Sequence, residues 1–292
     1  MQRRRYARKK ENRFTRLIMI VSIGILSMFI MDLASSQTPT QQNEIELLEI
    51  EPTQAFIKRS LEQLNDQYSL LLVNSHYPNT VDEEAIRLLP ANKHIPLAAG
   101  DTMLEEKTLL HAKLFFQAAS EAGISNLFIN SGYRSRHQQD QLYAAASDKN
   151  YVAKPGQSEH ELGFAMDLQL VRGGFDSKEG EWIRTHAAQY GFILRYPQGK
   201  SEITGVPHEP WHFRYVGQPH ATYITAKSLS LEEYIERLQP GKYYQVRANG
   251  KTYLLYRVKA EQNRIEVPTE GAYQVSSDGT GYYIVTIHCD DL

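Results

Sequence analysis

The 292 residues predict an α+β fold: a small, mostly antiparallel sheet flanked by helices, a β appendage at the C-terminus and a membrane segment at the N-terminus. Three observations lead there. Helical and extended patterns mix without the regular alternation of a doubly wound sheet. After Pro240-Gly241 the composition turns to Tyr, Val and Ile in short runs, broken at Asn249-Gly250 and Asp278-Gly279. An apolar run, 17–34, follows a cluster of eight cations.

From the N-terminus, residues 1–16 hold Arg3, Arg4, Arg5, Arg8, Lys9, Lys10, Arg13 and Arg16 against Glu11 alone, a charge of +7; because the whole chain is −2, the remainder is −9. That balance argues against nucleic-acid binding by the folded part and leaves the cluster as topology information. Segment 17–34 reads as an export signal, its length between a signal-peptide core and a full span of about 20 residues. An uncleaved anchor is the expectation, and cleavage near Ala34-Ser35-Ser36 is the alternative. Either way the cations stay in the cytoplasm and the rest of the chain lies outside.

Residues 35–53 are polar and then acidic, without periodicity, and fit an exposed stalk. A catalytic domain is expected over 54–239 and the appendage over 240–292. The domain opens with a predicted helix over 54–64 and a strand over 68–73, then irregular chain through Gly100. Thr102 to Glu105 has the capping-box pattern, and Leu109, Leu110, Leu114, Phe115 and Ala118 recur at helical spacing until Gly123. Residues 124–131 read as a buried strand, 136–147 as a second helix and 163–170 as an alternating strand. A helix over 179–190 stops at Gly191, 211–216 is an aromatic and β-branched strand, and a last helix covers 231–238. The one cysteine, Cys289, excludes an intrachain disulfide, so core packing or a metal must hold the fold.

Polar residues concentrate in three stretches: SGYRS at 131–135, SEHELGFAMD at 158–167 and HEPWH at 208–212. A catalytic zinc needs three protein ligands and a water beside a carboxylate that can take its proton. His160, Asp167 and His212 supply such ligands, and Glu209 the carboxylate. A turn through Gly163 permits His160 and Asp167 to reach one centre, although the spacing does not force it. Residues 208–212 also match the HExxH pattern formally. That motif sets two histidines one turn apart on a helix, whereas Pro210 breaks the turn and the following residues continue as a strand, so His208 is a bystander.

These stretches, together with YGFILRYP at 190–197 and EPWHFRYVG at 209–217, resemble the VanY-type D-alanyl-D-alanine carboxypeptidases, in the wider group with the lysostaphin and hedgehog zinc fold. The resemblance covers 64–238, and the tail after Pro240 is similar to that of the longer VanY proteins. By position it implies His160, Asp167 and His212 as Zn²⁺ ligands, Glu209 as catalytic base and Arg134 as the substrate-facing arginine. It further implies a single-pass protein of the bacterial plasma membrane, or a secreted one if 17–34 is cleaved. The catalytic domain would lie outside, trimming peptidoglycan peptides that end in D-Ala-D-Ala, with a role in glycopeptide resistance left open. For the free carboxylate of such a substrate, Ser158, Tyr133 and Gln139 are candidates. Gln139 follows from the family's glutamine five residues after the arginine; Asp140 or Gln138 would serve equally.

The alternatives are another murein peptidase on the same site, an L,D-carboxypeptidase, endopeptidase or D,D-dipeptidase, and a zinc-holding module that binds cell wall without turnover. Export argues against the dipeptidase. Glu209 beside His212 argues against a purely structural zinc, which needs no base. Neither Ser-x-x-Lys nor Gly-x-Ser-x-Gly occurs in the chain, so a serine acyl-enzyme is not expected.

Overall fold

Alternation of apolar and polar side chains builds the sheet that matters most here. In Ala165–Leu170, Met166, Leu168 and Leu170 are buried on one face, while Asp167 and Gln169 point to the other. A computed structural model describes residues 45–64, 68–91, 95–149 and 152–289. The basic segment 1–16, the apolar segment 17–34 and the stalk up to residue 44 lie outside the described residues. Among the described residues no helix is long and apolar enough to cross a membrane.

In chain order the strands are β1 (Leu48–Ile50), β2 (Phe56–Ser60), β3 (Leu88–Pro90), β4 (Met103–Glu105), β5 (Leu127–Ser131), β6 (Ala165–Leu170), β7 (Phe192–Leu194), β8 (His212–Tyr215), β9 (Tyr243–Ala248), β10 (Lys251–Lys259), β11 (Arg264–Pro268), β12 (Tyr273–Ser277) and β13 (Tyr282–His288). The α-helices are α1 (Glu106–Glu121), α2 (Arg136–Ala145), α3 (Lys178–His186), α4 (Ser201–Thr204), α5 (His220–Ala226) and α6 (Leu231–Arg237).

Strands β5, β6, β8 and β7 form an antiparallel sheet in that order. Helix α1 covers its apolar face through Leu109, Ala112, Phe115, Phe116 and Ala119, spaced three and four residues apart. Leu110 and Leu114, expected on that face, stay exposed. The expected capping box at Thr102 is also displaced. Residues 103–105 are strand, paired with β3, and Glu105 is the cap, its carboxylate accepting from the Thr108 N–H at 2.9 Å.

A second sheet has five antiparallel strands, ordered β1-β9-β10-β13-β12. Asn249 and Gly250, both at positive φ, close the β9–β10 hairpin where the Asn-Gly signal put a turn. Two expectations at the N-terminal side are overturned. The end of the expected stalk is strand β1, paired with β9, and the helix expected over 54–64 is strand β2 plus a short 3₁₀ turn, Leu61–Gln63. Pairing of β2 with β11, some two hundred residues away, overrides the local helical spacing. The strand expected over 68–73 is instead a 3₁₀ turn, Tyr68–Leu70, followed by buried irregular chain.

The described residues from Ile45 onward pack as one compact unit. Leu72, Ile193, Val216, Ile224 and Tyr234 share a core with Val246, Tyr253, Leu255 and Ile284 of the C-terminal sheet.

Candidate metal centre

Register places the first two donors. Asp167 of β6 and His212 of β8 are opposite one another in the antiparallel ladder, so their side chains leave the sheet on the same face, and His212 Nδ1 lies 3.1 Å from Asp167 Oδ1. The third donor comes from a 3₁₀ turn, Glu159–Leu162, which Gly163 ends at φ +70°. A Cβ on Gly163 would sit 2.9 Å from the Glu105 backbone nitrogen and 2.8 Å from Leu88, so the turn requires glycine for space as well as conformation. His160 Nε2 from this turn lies 3.3 Å from Asp167 Oδ2. One donor atom from each of His160, Asp167 and His212 falls within 4.8 Å of the other two.

This arrangement fits a divalent cation of the zinc type. Two imidazoles and a carboxylate are a suitable donor set, and Asp167 Oδ1 is buried without a hydrogen-bond partner, an orphan that a cation would satisfy. The His160 tautomer is already set, because its Nδ1 contacts the Gly132 carbonyl oxygen at 2.7 Å and so holds the proton, leaving Nε2 toward the centre.

The two histidines shift in opposite directions although both face Asp167. Burial, helped by Arg134, pushes His160 down to about 4. Burial would lower His212 too, but the neighbouring carboxylates of Asp167 and Glu159 outweigh it and raise it to about 9.

Glu209 lies on the loop before β8, its Oε2 3.7 Å from His212 Nδ1. Burial raises its pKa, partly opposed by His212. Arg134, just past β5, points its Nη2 to 3.9 Å from Asp167 Oδ2. Both groups line a cleft of about 440 Å³ with His160, Asp167, His212, Ser158, Tyr196 and Trp211.

Two sequence candidates fall elsewhere. Gln139 is fully buried and both its amide atoms are used: the oxygen accepts from Arg134 Nη1 at 2.9 Å and the nitrogen donates to the Ala153 carbonyl. It holds Arg134 in place rather than lining the cleft. Tyr133 and Arg134 are consecutive, and the turn of Arg134 into the cleft sends Tyr133 the other way, beside Glu83; burial then raises the Tyr133 hydroxyl to about 12. Of the substitutes, Gln138 closes a capping box with Ser135, and Asp140 is exposed on α2 away from the cleft lining. Ser158 does line the cleft. His208 is exposed, with Nδ1 against the Tyr196 carbonyl, and Pro210-Trp211 form a turn before β8, so no helical HExxH exists.

Sequence reasoning missed Glu159, Arg195, Arg214 and Glu232, a buried ionic group behind the histidines. Arg195 Nε meets Glu159 Oε1 at 2.7 Å, Arg214 Nη1 meets the same oxygen at 3.0 Å, and Arg195 makes a two-point pair with Glu232 of α6. Burial alone would raise Glu159, but the two guanidiniums hold it far below the carboxylate range. The available signal was an arginine inside each of two apolar strand patterns, FILRYP and WHFRYV.

Residues 101–218 match the family model described as VanY, D-alanyl-D-alanine carboxypeptidase. The chain is 36% identical over 231 residues to a D-alanyl-D-alanine carboxypeptidase of Enterococcus faecium, covering 76% of this chain and 75% of that protein. It is likewise 36% identical to the bifunctional D-Ala-D-Ala dipeptidase and D-Ala-D-Ala carboxypeptidase VanXYC of Enterococcus gallinarum, over 58% of this chain and 95% of that protein. The fold is similar to the crystal structure of the vancomycin resistance D,D-dipeptidase VanXYg in complex with a D-Ala-D-Ala phosphinate analog, with a TM-score of 0.69 and 31% identity over 81% of this chain and 100% of that one.

Proposed function

The chain belongs to the VanY family of D-alanyl-D-alanine carboxypeptidases, and from that membership we propose that it hydrolyses the last peptide bond of peptidoglycan peptides ending in D-Ala-D-Ala; the basic and apolar segments 1–16 and 17–34 support a place outside the plasma membrane. The observation that carries this reading is the convergence of His160, Asp167 and His212 within 4.8 Å, in one cleft with Glu209 and Arg134.

His160, Asp167 and His212 would hold Zn²⁺, which when bound polarises a carbonyl and makes a water acidic enough, pKa about 7, to attack at neutral pH. The chain's own groups do the rest. Glu209 takes the proton of the attacking water and returns it to the departing amine of the terminal D-Ala. Arg134, fixed by Gln139 Oε1, turns its guanidinium toward the negative charge that develops on the carbonyl oxygen of the penultimate D-Ala. Ser158 offers a hydroxyl in the same cleft for the terminal carboxylate.

The test is D-alanine release from a pentapeptide ending in D-Ala-D-Ala, and from the free dipeptide, with zinc, with chelator and for Glu209→Ala. Pentapeptide turnover that requires zinc, resists penicillin and vanishes in the variant supports the reading. Turnover of the dipeptide alone would reassign the enzyme as a dipeptidase, and zinc binding without turnover of either would make it a binding module.

A further inference from the structure

We propose that Glu159 is a positioning residue of the metal site: its Oε2 takes the Nε2 hydrogen of His212 and so fixes the tautomer that leaves Nδ1 free for the cation. The inference rests on the metal reading above. His160 has a backbone carbonyl to set its tautomer, at Gly132, whereas His212 has no such partner. Its Nε2 is buried without a hydrogen-bond partner and faces Glu159 Oε2, also buried and unpartnered, at 3.5 Å. A closure of about half an ångström makes an ordinary bond of two groups that would each otherwise be desolvated at a cost.

The way the arginines approach Glu159 indicates that this orientation is built. Glu232 spends both oxygens on Arg195, the usual two-point geometry of a carboxylate that only balances charge. Glu159 differs. Arg195 and Arg214 converge on its Oε1, at 2.7 and 3.0 Å, and Oε2 is left turned to the histidine. The arginines are anchored independently, Arg195 by Glu232 and Arg214 by the carbonyls of Tyr68, Ser69 and Leu71. The carboxylate is thus clamped from behind by α6 and by the 68–71 segment. With Nε2–H directed at Glu159, the Nδ1 lone pair of His212 points to the space shared with Asp167 and His160 Nε2.

The experiment compares zinc affinity, by chelator competition, in the full chain, Glu159→Gln and Glu232→Gln. The glutamine at 159 is expected to weaken zinc binding roughly 10- to 100-fold, the range for loss of an outer partner of a metal-bound histidine. Glu232→Gln disturbs the same buried group without touching His212, so it should lower the melting temperature and leave zinc affinity near that of the parent. A long-range ¹H–¹⁵N histidine spectrum of the zinc-loaded parent should show His212 bound through Nδ1 with its proton on Nε2, and it decides the matter even if Glu159→Gln does not fold. Unchanged affinity in Glu159→Gln, or metal on Nε2, overturns the inference while leaving the metal reading intact. A parent chain that binds no zinc overturns both.

Discussion

The two sheets of this molecule bury different things. Behind the cleft, β5 to β8 and their flanking turns enclose His160, Asp167, His212, Glu159, Arg195 and Arg214, charges and imidazoles packed edge to edge. The C-terminal sheet encloses Tyr253, Tyr256, Leu255, Val285 and Ile287, beside a buried ion pair, Arg257 to Asp278 at 2.6 Å. Burying charge is costly unless it is paired or serves chemistry, so the contrast separates a region shaped for reaction from one shaped for cohesion.

Substitutions should divide along that line. The largest effect is expected at Asp167→Asn, which alters a donor common to both histidine contacts: zinc binding should fall further than for a change at Glu159 behind them, and D-alanine release should disappear with it. A folded Asp167→Asn protein that keeps stoichiometric zinc would break the comparison. Next, Phe115→Ala, under the cleft sheet among Trp182, Tyr190 and Phe192, should cost about 3–5 kcal/mol in thermal unfolding, because the ring is fully buried. In the C-terminal sheet, Asp278→Asn should cost about 3 kcal/mol by leaving Arg257 poorly paired, with zinc affinity unchanged.

A smaller and pH-dependent effect tests the seam between the regions. His220 of α5 is buried against the Tyr234 hydroxyl and Thr286 of β13, and burial lowers it to about 3. The unfolded chain, with a histidine pKa near 6.5, then binds more protons between those values. Stability is full above about pH 6.5 and declines as the pH falls toward 3, by up to about 1.4 kcal/mol per pH unit from this group. In urea titrations from pH 7 to 4, His220→Gln should flatten the decline; an unaltered slope would show that other groups cause it. The smallest change is Lys58→Ala, which breaks the exposed pair between β2 and Glu261 in the turn before β11 and should leave the melting temperature within error.

Much of the cleft was legible because its residues occur in order within short motifs, and a turn glycine and two strand registers bring them together. The ionic group behind them was not. Glu159 reads in sequence as one more polar residue of SEHE, and its role depends on arginines about 36 and 55 positions later. Strand β2 was misread as a helix for a similar reason: FIKRSLEQL has helical spacing, and only β11 gives it an extended partner. Segment 68–71, apolar enough for a strand, spends three carbonyls on Arg214, which no local pattern announces. The family resemblance points to Gln139 as a carboxylate contact, but its amide oxygen accepts from Arg134 Nη1 instead.

The most direct test of the central claim, that the buried charges of the cleft sheet form a metal site, is anomalous diffraction at the zinc edge from crystals of the zinc-loaded protein. The account predicts one strong peak within about 2.0–2.2 Å of His160 Nε2, an Asp167 oxygen and His212 Nδ1. A zinc-loaded crystal with no peak there, or with its peak at His208, would contradict it.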